Sequence, residues 1–361
     1  MSWSFRLIRV LGTEVKVHLT FLLLLAGLWF VTQRGSGPLE ALLTIGFILA
    51  LFLCILLHEF GHILMARRFG IRTPDVILLP IGGVARLERM PEEPRQELLI
   101  ALAGPAVTLF IAALLAGWLT LQGDPIVLRP TATEPANFLL DLLRVNLILL
   151  GFNLIPAFPL DGGRVLRALL TMRMNHVQAT RIAARIGQAL AMGLGVYGLI
   201  DHNISWTLIA LFVFFGAGAE VSQVATRAAG KGILIDQMMI TRYTTIPLWA
   251  TLRQAVDLLL EGEQREFPVI DANGAVAGLL TRDGLIQGLT LRGPESGVRE
   301  AMSPNVPLLP LGLEFDAALA QLRGSGLPAL PVVDAGGHLV GLLTRDNVAD
   351  LILVRQAVAP R

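Results

Sequence analysis

Between Val17 and Val221 the sequence returns repeatedly to runs of about twenty residues with little or no charge, the length at which a helix spans a hydrocarbon core of roughly 30 Å. Such runs confine this part of the chain to membrane-crossing helices, the form in which every backbone polar group is satisfied within its own segment. Six spans are predicted, at 17–33, 39–66, 97–121, 137–156, 181–200 and 204–222. The composition agrees: 54% of the 361 residues are hydrophobic and only 16% are charged, and the apolar excess stops after Lys231. The bilayer is thus one partner. A net charge of +1 argues against a nucleic-acid binder. The lone Cys54 excludes a disulfide framework and any Cys-rich zinc module. Residues 1–35 also fit a secretory signal peptide, since Arg6, Arg9 and Lys16 precede an apolar run. The length of that run, the bulky Trp29 and Phe30 near its end and the lack of a small-residue cleavage pattern favour an uncleaved first span.

The cations between the runs are asymmetric. Arg6, Arg9 and Lys16, then Arg67, Arg68, Arg72, Arg86, Arg89 and Arg95, then Arg164, Arg167 and Arg173 fall on one side, against Arg34 and Arg129 on the other. By the positive-inside rule the N-terminus, the loops after the second and fourth spans and the C-terminal region are expected in the cytosol, with the chain in the cell (plasma or inner) membrane. The loop 71–90 holds two short β-prone runs around Gly82 and Gly83, which predicts a hairpin at the membrane surface. Its free edge could pair with an unwound peptide segment, or the hairpin could merely close the fold.

Three ionisable residues interrupt the second span: His58-Glu59-Phe60-Gly61-His62. An acid at the centre of a membrane helix costs some ~2.5 to 3.5 kcal/mol on insertion scales, so such groups need a partner. His58 and His62 stand one helical turn apart on one face, with Glu59 about 100° around from His58. Two imidazoles so placed can bind zinc, and the neighbouring carboxylate can take a proton from an attacking water. A catalytic site wants a third protein ligand, and Asp161 is the candidate. It lies where Pro156 and Pro159 break the fourth span, ahead of Gly162 and Gly163. Asp161 also suits the N-cap of a helix over 162–174. Asp75, Glu88, Glu134 and Asp141 are weaker ligand candidates.

These residues resemble the site-2 protease family of intramembrane zinc metalloproteases. The likeness rests on the His58–His62 motif and on Asn153, Pro156 and Pro159 followed by Leu160-Asp161-Gly162-Gly163, and it covers roughly residues 1–225, including the Gly-rich hairpin and the Ala103-Gly104-Pro105 start of the third span. It implies that His58, His62 and Asp161 bind one Zn2+ per chain, that Glu59 is general base and then acid, and that Asn153 holds the substrate or its oxyanion. It further implies membrane-spanning substrates such as anti-sigma factors or tethered regulators, cut in regulated intramembrane proteolysis. One departure is visible: Thr108 stands where members often carry Asn.

Beyond Gly232 an internal repeat appears. Residues 267–283 align with 330–346 at a constant offset of 63, carrying Asp271 onto Asp334 and Thr281 onto Thr344. Each unit reads as strand, turn, strand and helix, with an earlier helix at 252–261 or 315–323. The repeat resembles a tandem of cystathionine-β-synthase-type (CBS) domains, a soluble α/β pair. That resemblance implies adenine nucleotides in the clefts and pairing into a homodimer. Its Thr-x-x-Asn pattern is met by Thr344 and Asn347, whereas Thr281 is followed by Gly284. The alternative is a dimerising or docking module without ligand. The expected organisation is a transmembrane metalloprotease domain at 1–225 and a cytosolic CBS tandem at 226–361, split at about 231–292 and 293–357. A CBS-regulated transporter or channel is the competing function, disfavoured by the lack of inverted repeats.

Overall fold

A computed structural model of the chain describes residues 3–358 apart from 81, 87, 89, 90, 92 and 129–136, so Arg89, Arg129 and Glu134 lie outside the described residues. The chain divides into two compact units, Met1–Ser222 and Gln223–Arg361.

The first unit opens with a hairpin that charge counting had treated as a flanking segment. Strands β1 (Ser4–Val10) and β2 (Thr13–His18) pair antiparallel around Leu11 and Gly12. Both turn residues have positive φ, 49° and 85°, which matches the tight turn that follows the twist of its strands. The hairpin expected in the loop is present as β3 (Asp75–Leu79) and β4 (Gly82–Arg86). The two hairpins join through parallel pairing of β2 with β3, giving one sheet ordered β1-β2-β3-β4 and leaving β4 at an edge.

Among the described residues five helices are long and apolar enough to cross a membrane: α1 (Leu19–Ser36), α2 (Pro38–Arg68), α3 (Pro94–Gln122), α6 (His176–Ile200) and α7 (Ile204–Gly230). Large apolar side chains such as Phe110, Ile148 and Phe215 are more than 60% exposed, as expected of surfaces solvated by lipid. The fourth span is shorter, because α4 (Phe138–Asn153) has 16 residues and rises only about 24 Å. The chain then runs without helix to Leu160 and turns into α5 (Asp161–Thr171). Small residues set the close approaches. A Cβ on Gly61 of α2 would sit 2.7 Å from the Ala103 carbonyl of α3, so only glycine lets these helices approach so closely.

The second unit shows the repeat in three dimensions. One sheet is β5 (Ile246–Pro247), β6 (Glu266–Ile270), β7 (Val276–Thr281) and β8 (Ser303–Pro304). The other is β9 (Leu309–Pro310), β10 (Ala329–Val333) and β11 (Leu339–Thr344), in the order β11-β10-β9. Helices α8 (Leu252–Glu261) and α9 (Arg282–Arg292) pack on the first, α10 (Phe315–Ser325) and α11 (Arg345–Val358) on the second. Each repeat lends a segment to the other. Ser303 pairs with Leu279 of the first sheet, and Ile240, offset by the same 63 residues, bridges to Leu342 of the second. Leu279, Val306, Ala329 and Leu342 bury one another between the repeats.

Candidate metal centre

Helix α2 carries His58 and His62 on one face, and both are buried. Their rings are held from behind. His62 Nδ1 lies 2.7 Å from the carbonyl oxygen of Ile100, so Nδ1 donates and Nε2 keeps its lone pair. His58 Nδ1 lies 2.8 Å from Thr108 Oγ1, whose own proton points to the Gly104 carbonyl at 3.4 Å, so here too Nδ1 is assigned as the donor. Thr108, a departure from the family pattern, therefore orients a histidine. Gly104 closes the wall: a Cβ there would collide with His62 Nε2 and reach within 2.7 Å of His58 Nε2.

Helix α5 brings the third group. Its N-cap is Leu160, which makes no side-chain cap bond, and Asp161 occupies the first turn with its carboxylate aimed at the rings. Asp161 Oδ2 is 3.1 Å from His58 Nε2 and 3.2 Å from His62 Nε2, and the two Nε2 atoms are 3.1 Å apart. Gly162 and Gly163 make this possible by packing directly on the broken segment. A Cβ on Gly162 would strike the carbonyls of Leu154 and Ile155, and one on Gly163 would come within 2.6 Å of the Ala157 backbone.

With each Nδ1 assigned as a donor, the two Nε2 atoms and Asp161 Oδ2 face one another as a donor set that a cation would satisfy. The donor types and spacing fit zinc, whose tetrahedral bonds of about 2.0–2.1 Å put neighbouring ligand atoms about 3.3 Å apart. Among the described residues, His58, His62 and Asp161 form the one group of three or more such side chains able to hold a metal ion. They open on a cavity of about 370 Å³ also lined by Glu59, Asn153 and Arg164. Glu59 is pressed by the edge strand, since a Cβ on Gly83 would lie 2.8 Å from its Cγ. The weaker candidates lie outside the cluster: Asp75 bonds Lys16 at 2.9 Å, Asp141 bonds Arg144 at 2.9 Å, and Glu88 is exposed.

In the second unit, Thr281 and Thr344 each cap a helix, accepting from Gly284 N and Asn347 N at 3.1 Å. Asn347 Nδ2 also donates to the Met238 carbonyl at 3.3 Å.

The family model for peptidase family M50 matches residues 46–137 and 129–194, and the CBS-domain model matches 235–290 and 298–354. A zinc metalloprotease of Methanocaldococcus jannaschii is 35% identical over 96% of this chain and 96% of its own length. The chain belongs to peptidase family M50. Rip3 of Mycobacterium tuberculosis is 30% identical over 98% of this chain and 93% of its own. The solved site-2 protease from Methanocaldococcus jannaschii is 36% identical and covers 61% of this chain and 95% of that one, with a TM-score of 0.45. This M50 peptidase is accordingly a zinc metalloprotease with a pair of CBS domains in a multi-pass membrane chain.

Sequence reasoning missed one further feature of the M50 unit. Arg167, counted above as a loop cation, is 1% exposed. Its Nε donates to Glu97 Oε1 at 2.7 Å, its Nη1 lies 2.5 Å from Glu220 Oε1, and its guanidinium rests 4.9 Å over the Phe158 ring. The cluster ties α5 to α3 and α7 six residues past Asp161. Charges at the ends of apolar runs were the available signal, but spacing alone could not say which acid met which base.

Proposed function

We propose that this M50 peptidase cleaves membrane-spanning proteins within or beside the bilayer, using a zinc ion held by His58, His62 and Asp161. The observation that supports this most is the meeting of Asp161 Oδ2 with both Nε2 atoms at 3.1 and 3.2 Å, across about a hundred residues of sequence. Bound zinc would act there as a Lewis acid on the scissile carbonyl and would acidify a water ligand. Glu59, beside His58 on α2, takes the proton from the attacking water and returns it to the leaving amine. Asn153, at the end of α4, donates its amide to the substrate carbonyl oxygen, and Arg164 adds positive charge to the same cavity. Residues 82–85 of the edge strand β4 line that cavity as well, which favours pairing with an unwound substrate segment over a purely structural hairpin.

In this reading residues 1–225 form the protease domain and 226–361 the CBS tandem, with the N-terminus and the tandem in the cytosol. The tandem acts as a regulator, pairs two chains, and takes an adenine nucleotide beside Thr344 and Asn347, with Thr281 marking the weaker equivalent in the first repeat.

The test is reconstitution of the purified chain in liposomes with a membrane-spanning reporter. Mass spectrometry should place the cut inside or at the edge of the reporter's apolar segment. Chelation should stop cleavage and added zinc should restore it. Cutting that survives chelation, or that falls only in soluble flanks, removes the reading. For the tandem, AMP, ADP and ATP should be added in turn while the thermal midpoint is followed; no shift with any of them leaves a docking or dimerising role.

A further inference from the structure

A second cavity, of about 500 Å³, lies between the β1–β2 hairpin, the last turns of α2 and the strand approach at residues 71–74. Four cations line it, Arg9, Lys16, Arg67 and Arg72, against the two acids Glu14 and Glu88. Even with both acids charged, four cations against two acids leave the lining net positive. Glu14 is engaged by Lys16 at 3.1 Å and by Arg6, which stands outside the cavity, at 3.3 Å. Lys16 is shared with Asp75 at 2.9 Å, and these two partners raise its pKa and keep it charged. Arg67 uses Nη1 to bind the Leu11 carbonyl at 2.7 Å, which leaves its other donors. Arg9 and Arg72 are exposed and make no ion pair among the described residues.

The position of the cavity says which anion can reach it. Helix α1 begins directly after β2, and α2 ends at Arg68, so the hairpin stands where two membrane-length helices enter and leave the same side of the bilayer. On and just before the same hairpin, Trp3, Phe5, Leu7, Ile8 and Leu11 are each 56% or more exposed, and with the arginines of that hairpin they make a mixture of side chains suited to the headgroup level. A guanidinium fork matches phosphate oxygens. We infer that this cavity binds the phosphate of an anionic lipid headgroup, seating the N-terminal hairpin on the membrane surface.

Native mass spectrometry of the full-length protein, offered equal phosphatidylglycerol and phosphatidylcholine, tests this without any need for peptidase activity. Phosphatidylglycerol should be retained in preference, and Arg9→Gln with Arg72→Gln should cut that preference by roughly fivefold per arginine. Arg253→Gln with Arg292→Gln, in the other unit, should leave it unchanged. Because altered cavity variants could misfold, a photoreactive phosphatidylglycerol is used on the unaltered chain, with cross-links expected in residues 9–16 and 67–74. Equal retention of the two lipids, an unchanged preference in the double cavity variant, or cross-links confined elsewhere would overturn the assignment. Displacement of the lipid by millimolar inorganic phosphate would also overturn it, giving the cavity to a soluble anion.

Discussion

At the scale of single residues, the centre depends on which nitrogen of each imidazole is committed. With both Nδ1 atoms donating backwards, both Nε2 atoms are free to ligate, an arrangement that also fixes ring orientation. Glu59 stands apart from this set, so its role can be removed without disturbing the ligands. Glu59→Gln is expected to lower reporter cleavage by about 10²–10⁴-fold, while metal analysis still finds near one zinc per chain. Gly104→Ala should behave differently. Its methyl group would occupy the space of both Nε2 atoms, so zinc content and cleavage should fall together. The two histidines were legible from their spacing alone, because i and i+4 on a helix must share a face. Thr108 and Gly104 were not legible as supports, because each acts through a neighbouring helix.

At the scale of elements, α5 is what delivers Asp161, and Arg167 fastens α5 from inside. Removing that guanidinium leaves the buried Glu97 and the half-buried Glu220 without their base, and a buried pair broken in this way costs about 3–5 kcal/mol. Arg167→Met should accordingly lower the unfolding midpoint of the membrane unit, and Arg167→Lys should recover part of the loss. Strand β4 offers a contrasting test. Gly83→Ala would press on Glu59 and on none of the metal-directed atoms, so cleavage should drop while bound zinc is kept. The loop hairpin was readable from its β-prone runs around two glycines. The N-terminal hairpin was hidden because its apolar and cationic residues also suit the flank of a membrane span, and only pairing with β3 distinguishes the two.

At the scale of the whole molecule, the second of the two units holds a carboxyl whose surroundings make that unit's stability depend on pH. Glu266, on β6, loses hydration by burial and faces the negative charges of Asp346 and Asp283, which together raise its pKa above its ordinary 4.5. A carboxyl raised in the folded state favours folding while protonated. Its stabilisation is complete below the unfolded pKa and is lost as pH rises through the folded one. Glu266→Gln should therefore raise the thermal midpoint of the CBS unit at pH 7 and leave it nearly unchanged at pH 4, as followed by calorimetry.

The sequence by itself determined the apolar runs, the helical face shared by two histidines and the repeat at an offset of 63, because each is a periodicity carried by neighbouring residues. Only the tertiary structure decided that Asp161 reaches His62 from 99 positions away, that Arg167 is buried between two acids, and that the two hairpins form one sheet. Depth and rotation of separate helices are set by how their surfaces pack, and no local pattern in the chain records that.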